Sequence, residues 1–505
     1  MKKHVLRTHL RSCLLPAITA LLLSYAAWHL APSAEARTPK EAVQSSNPCG
    51  TIPFGASVPG DKFLLNQTNA DCFAWSEFIP LNWPASGSSF GAPGINPVQW
   101  EGYMTQETLY PTNGGPPSTA GRLSALPMGC QALRSVAAEK RKGLRLLRST
   151  SKFSSVNNGE NFNFPQAAPS NGPAWLGAQN GTNLWYEVLL NPDEVSYVTD
   201  SSHQFYNAAK QQSWVNNGQG SPIVFTKGVQ NGAVGTLELK AAWMEVPNYS
   251  ASDPKWQQYL LSNAIVVGPT NTQCRSTVVA LVGLHIIHKT TTQPTWVWAT
   301  FEHVDNVPGP SNTSNCCNFN NPKCQSQTVQ VNQSSCLPNG KTAPATVNVV
   351  CTANTSPPYN LGPGCPAPVP IQVTRATGLD STAQQINAAM WQTIKASYPT
   401  SVFQYYQLVD VLWSTNPTQD PVKPQKVPLN PAALTSGNPG KVANSVLETY
   451  IQSSQCTDCH RYANIAPQTP PPAPVWDGDF SFALGTASVA QTQSKAKANT
   501  KKKKH

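Results

Sequence analysis

Near the end of this 505-residue chain stands the run Cys456-Thr457-Asp458-Cys459-His460. Two residues between the cysteines let both thiols project to one side, and an imidazole follows at once. Thiols so spaced can add to the two vinyl groups of a haem while the histidine turns back onto its iron, which is the C-x-x-C-H pattern of c-type haem attachment. Zinc binding is the main rival, but no second Cys or His pair lies nearby downstream to complete four ligands. A thioredoxin-like thiol pair lacks the following histidine and sits in a βαβ context, which is absent here.

Residues 441–460, from KVANSVLETYIQSSQ into CTDCH, resemble the helix and haem-attachment motif of c-type cytochromes. The chain as a whole is similar to large exported proteins of the cytochrome c family, a likeness that names no reaction. The resemblance implies one covalent haem c, thioether bonds to Cys456 and Cys459, His460 as proximal iron ligand, and a bacterial periplasm. In the common small members of that family a downstream methionine completes the iron, yet no methionine follows Met390. The sixth ligand must therefore come from upstream, be water, or be absent.

Beyond the opening segment the histidines are His203, His285, His288, His303, His460 and His505. Three of them lie in VVALVGLHIIHKTTTQPTWVWATFEHV, where two β-rich runs, 278–289 and 295–304, read as an antiparallel hairpin. A turn pairing Lys289 with Thr295 would set His285 opposite Ala299 and place His285 and His303 on one face. Gly283 and Ala299 would leave a hollow there, while Trp296 and Trp298 would crowd the other face. His285 is the first candidate for the distal ligand, then His303 and His288, with Met244 behind them.

These residues need a scaffold, and the sequence predicts an α+β, β-rich fold. It reads as a large irregular body with antiparallel hairpins and a C-terminal helix leading into the haem motif. LWYEVLL gives a strand, Asn191-Pro192 a helix start, TLELKAAWMEV a strand, STAQQINAAMWQTIKAS a helix and SVFQYYQLVDVLW a strand. Val442, Val446, Tyr450 and Ile451 share a helical face ahead of CTDCH. Residues 37–130, including CFAWSEFIPLNWPASG, read as irregular segments around aromatic anchors.

The amino terminus has a basic start, an apolar run and small residues at Ala34 and Ala36, a secretory signal cut after Ala36. An uncut anchor is the alternative, opposed by a short run interrupted by Pro16, and no later stretch is apolar enough to span a bilayer. The domains follow as signal peptide 1–36, β-rich body 37–305, disulfide-stapled insert 306–370 rich in Cys, Pro and Asn, helix and strand 371–435, haem-attachment segment 436–490, and disordered lysine tail 491–505. The formal charge is +10, but it sits in the signal and the tail, so the body is nearly neutral and nucleic-acid binding is not indicated. The basic run 139–148 reads as a solvated helix face or loop. Of 13 cysteines, ten remain after Cys13 and the motif, enough for five disulfides in an exported chain. One staple involves Cys49 and Cys72, and the insert carries Cys316, Cys317, Cys324, Cys336, Cys351 and Cys365.

The function expected is one-electron transfer with a redox partner protein or a small-molecule donor or acceptor, and no stable membrane span after signal cleavage. Two alternatives stand beside it. One is a haem-dependent oxidoreductase acting on peroxide, oxygen or a small organic substrate at an open distal site. The other is a ligand-binding module with an accessory haem, using Trp75, Trp83, Trp296 and Trp298. No phosphate loop or nucleophile elbow occurs, and His288 with Asp305 lacks a serine partner for hydrolysis.

Overall fold

Leu237 to Val246 alternate apolar and polar side chains, and the 15-residue run from Cys274 to His288 is β-branched and apolar at its centre; these become the two central strands of a sheet. The structure, a computed structural model, describes residues 47–118, 126, 128–133, 144–148, 173, 175–268, 274–309, 316–338, 341–429, 442–466 and 475–489. The signal region, the lysine tail and residues 139–143 of the basic run lie outside them. In chain order the elements are α1 (Gln67–Leu81), β1 (Met104–Thr105), α2 (Gln106–Leu109), β2 (Arg145–Leu147), β3 (Leu184–Leu190), α3 (Pro192–Thr199), α4 (Ala208–Val215), β4 (Leu237–Val246), β5 (Leu261–Val267), β6 (Cys274–His288), β7 (Val297–His303), β8 (Gln327–Val331), β9 (Ala345–Val349), α5 (Ser381–Ser397), β10 (Tyr406–Leu412) and α6 (Cys456–His460), with short 3-10 turns between them. The expected α+β, β-rich class is what forms.

One eight-stranded sheet carries the fold, in the order β1-β3-β4-β6-β5-β2, with β7 also paired to β6 and β10 to β7. The branching follows from length. At roughly 3.3 Å per residue β6 spans about 50 Å, so its first half pairs with β5, its second half with β7, and its other edge with β4. All pairings in this sheet are antiparallel except β2 with β5.

The β6–β7 hairpin forms, but one residue away from the expected register: His285 faces Thr300 and His288 faces Val297. Lys289 is responsible. Its buried ammonium donates to the Pro294 carbonyl at 2.9 Å, Asp420 at 2.9 Å and Asp479 at 2.7 Å, so the loop closes around a cation that no local pattern reveals. The one-residue slip exchanges faces on β7. His303 therefore does not share a face with His285, and Trp298 does.

One face of the sheet carries Leu239, Ala241, Leu284, Ile286 and Phe301, packed with Phe73, Trp75 and Phe78 of α1 and Met390 and Ile394 of α5. The helix α1 corrects the irregular segment expected around CFAWSEFIPL. Its buried residues include Ala70, Cys72, Phe73, Ala74, Trp75, Phe78 and Ile79, so it has no polar stripe and hence no helical period to read. Asn66 caps it by accepting from the Asn69 N–H at 2.9 Å, and Pro80 falls in its last turn. Trp75 and Trp296 are fully buried and Trp298 nearly so.

The described part of the basic run is corrected as well. Arg145 is buried in β2, its guanidinium over the Trp243 ring at 4.4 Å and paired with Glu101 at 3.1 Å and with Glu187. The insert is cross-linked as expected: Cys324 pairs with Cys351, Cys336 with Cys365 and Cys316 with Cys317, around the β8–β9 hairpin. Cys49–Cys72 and Cys130–Cys274 complete five pairs. Among the described residues no helix is long and apolar enough to cross a membrane.

Candidate functional site

The other face of the sheet is polar at its centre. Glu238 and Lys240 of β4, His285 of β6, and Thr300 and Glu302 of β7 alternate with apolar neighbours, and all are buried. The C-terminal segment lies over them. Residues 442–455, expected as a helix, form turns, and the helix near the C-terminus is α6, the CTDCH run itself. Tertiary bonds explain the difference. Asn444 donates to Thr300 Oγ1 at 3.0 Å and to the Phe301 carbonyl at 2.8 Å, and the Ser445 N–H and hydroxyl donate to Glu302 at 3.0 and 2.8 Å. These bonds, three from side chains and one from the Ser445 N–H, fix the segment against β7. The apolar pattern still holds in part, since Val446 is buried and the Tyr450 hydroxyl reaches the Trp175 carbonyl at 2.9 Å.

Gly283 is not the open hollow expected beside His285. A Cβ there would stand 2.7 Å from Val446 Cγ2 and 3.2 Å from Asn444 Oδ1, so the C-terminal segment crosses β6 at this glycine.

Helix α6 begins after Gln455, whose N–H donates to Asp458 at 2.8 Å. Cys456 and Cys459, three apart on this turn, lie on one side of it. Both border a small, partly open recess also lined by His285, Ile287, Trp298, Glu448 and His460. Motif and first-choice distal histidine thus meet in one cavity, although 171 residues of sequence separate His285 from Cys456.

His460 is oriented from two sides. Its Nδ1 lies 2.7 Å from the Phe480 carbonyl, which can only accept, so Nδ1 carries the proton and Nε2 keeps its lone pair. This arrangement fixes the tautomer of a metal-binding imidazole. Trp298 and Phe482 pack on the ring with centroids at 4.6 and 4.9 Å. Nε2 faces the ammonium of Lys240 at 3.4 Å.

The His285 Nε2 stands 2.9 Å from Glu448 Oε1, and the other Glu448 oxygen accepts from the Asn444 N–H at 2.9 Å. A carboxylate can only accept, so the proton of this bond sits on His285 Nε2. His303 and His288 lie on the helix-covered face. His303 stacks on Tyr259 at 3.8 Å and bonds the Gln258 carbonyl at 3.0 Å, and burial pushes it down to about 3, so it stays neutral. His288 is buried between Glu77 and the Val234 carbonyl; burial opposes its charge, but the Glu77 carboxylate raises it above the usual histidine range. Met244 is buried in the apolar cluster that also holds Tyr186, Trp256 and Val446, and His203 bonds the Tyr197 carbonyl at 2.9 Å.

Lys240, Glu448 and the Phe480 carbonyl are the site groups that sequence reasoning missed. Lys240 did leave a signal, because it and Glu238 are charges two apart on an otherwise apolar strand and so belong to one face. Glu448 left none. The sparse acids, which show no pairing in the sequence, converge in the fold: Glu194 and Glu238 are fully buried, and burial followed by their mutual repulsion raises Glu194 well above the carboxylate range. Among the described residues no three His, Cys, Asp or Glu side chains converge to hold a bare metal ion.

No protein-family model, no curated protein and no solved structure matches this chain.

Proposed function

We propose that this chain is an exported c-type haem protein of the periplasm, with one covalent haem on Cys456 and Cys459 and His460 as proximal ligand, working in one-electron transfer. The observation that carries the reading is the His460 imidazole, held by the Phe480 carbonyl with its Nε2 lone pair turned inward, on the same turn as two thiols that border a recess. These residues fit the group: two thiols on one side of a helical turn, an imidazole of the right tautomer and a cavity walled by apolar and aromatic side chains. When bound there, haem supplies an Fe(III)/Fe(II) couple whose potential depends on axial ligands, burial and hydrogen bonds.

The chain's own contributions follow. The Phe480 carbonyl would fix the His460 tautomer and raise the basicity of Nε2 toward a metal held there. Trp298 and Phe482 keep water from the ring of His460, which is 5 % exposed. The five disulfides fit an oxidising compartment. The redox partner would be a protein or a small donor or acceptor reaching the recess mouth.

A haem-dependent oxidoreductase has one observation of its own, the proton-bearing His285–Glu448 pair on the recess wall. One experiment separates the readings. After denaturing electrophoresis the parent should retain haem stain with the polypeptide, and Cys456→Ala with Cys459→Ala should lose it. Stain retained by the double variant refutes the attachment. Rapid binding of carbon monoxide or cyanide by the parent favours the oxidoreductase, and a low-spin spectrum indifferent to both favours electron transfer.

A further inference from the structure

Lys240 of β4 lies directly opposite His285 of β6 in the register, so the two side chains stand next to each other on the face beneath the C-terminal segment. Lys240 is 4 % exposed in the middle of a sheet, where its charge interacts with that of Glu238 two residues away on the same strand. Its position relative to His460 adds a second relation. Its Nζ is 3.4 Å from His460 Nε2, on the side where the imidazole lone pair points. A metal held by imidazole sits about 2 Å from the nitrogen, so a donor on the metal's opposite side stands roughly 4 Å from Nε2. Lys240 already lies within about 1 Å of that separation, on a flexible four-carbon stem that can take up the difference.

His285 is differently disposed. Its Nε2 is committed to Glu448, and Glu448 is itself held by the Asn444 N–H. Using that nitrogen as a ligand would break a buried charge-assisted bond and leave a carboxylate to be satisfied afresh.

We propose that Lys240, rather than His285, is the sixth ligand of the iron, which deepens the haem reading above and rests on it. The ligand is the neutral amine. As its lone pair bonds the metal, the ammonium gives up one proton to water, and no electron changes hands.

The test uses the full-length haem protein and reads the visible spectrum, oxidised and reduced, with and without cyanide. Lys240→Ala should keep haem stain on the denatured polypeptide, because both thioethers remain, but turn high-spin and bind cyanide more than an order of magnitude faster than the parent. Lys240→Arg should do the same, since arginine keeps the charge and the length but offers no lone pair. His285→Ala should keep the parent's low-spin spectrum. The proposal is overturned if Lys240→Arg keeps that spectrum, which would make residue 240 a charge and not a ligand, or if His285→Ala alone opens the sixth position. A parent that carries no covalent stain overturns the haem reading itself, a result the variants' spectra cannot mimic.

Discussion

Gly283 tests whether the sheet positions the segment that carries Cys456, Cys459 and His460. Its backbone has an ordinary conformation, so alanine brings no torsional strain there, only a methyl group. That methyl would sit 2.7 Å from Val446 Cγ2, against the ~3.5–4.0 Å of carbon–carbon contact, a shortfall of about 1 Å. Val446 cannot give way easily. It is fully buried and β-branched, its N–H donates to Asn444 Oδ1 at 3.0 Å, and its carbonyl accepts from Tyr186 Oη at 2.9 Å. Gly283→Ala should therefore cost about 1–3 kcal/mol, as overpacking does. It should also lift residues 444–448 and loosen the Glu448 bond to His285. Val446→Ala removes two buried methyls at roughly 0.8 kcal/mol each, with a cavity term besides. In the double variant the alanine methyl enters the space vacated by Cγ2, so the two costs should fall short of their sum by about 1–2 kcal/mol. Urea midpoints followed by tryptophan fluorescence and by the visible spectrum of the proposed haem give both readouts. Strict additivity, or a Gly283→Ala variant as stable as the parent with an unchanged spectrum, would refute the contact as the anchor of the segment.

Two further outcomes follow from the interior. Asp71 is raised to about 8 by burial and then by the neighbouring Asp410, itself raised to about 7. Between pH 4 and pH 7 the unfolded carboxyls ionise while the folded ones hold their protons, so each removes about 1.4 kcal/mol of stability per pH unit as pH rises. Asp71→Asn should flatten that slope, and equal pH dependence of the melting temperature in parent and variant would count against it. Non-reducing peptide mapping should recover Cys324–Cys351 and Cys336–Cys365 from the insert, and free thiols at these positions would contradict the fold there.

Much of the scaffold was legible because local signals agreed with the tertiary result. The β4 strand alternates, α3 starts on Asn191-Pro192 with the Asn191 side chain accepting from the Glu194 N–H at 3.1 Å, and α5 shows its apolar spacing at Ile386, Met390 and Ile394. What failed was set by contacts distant in sequence. The helix α1 has no period because it is covered on all sides, residues 444 and 445 are tied by the Asn444 side chain to Thr300 and Phe301 and by the Ser445 N–H and hydroxyl to Glu302, and the hairpin register turns on a lysine bonded to Asp420 and Asp479. The thiols and His460 were visible as a motif. Lys240 and Glu448 were not identified, since their relevance depends on which strand faces which segment.

The size of the body becomes intelligible from that polar sheet face. Burying Glu238, Lys240, His285, Thr300 and Glu302 on adjacent strands would be costly without partners, and the C-terminal segment supplies them. Ser481 bonds Glu238, His460 faces Lys240, Glu448 takes His285, Asn444 donates to Thr300, and Ser445 donates to Glu302. The dependence is mutual. The segment's one helix is five residues long, far below what stands alone in water, so CTDCH takes its order from the sheet. The polar contacts to Thr300, Glu302, His285 and Lys240 come from strands 140 or more residues earlier, and Gln452 adds bonds to Thr374 and Ala376. A chain built this way needs the whole sheet to present one imidazole, and the same sheet can then offer side chains of its own to whatever that imidazole holds.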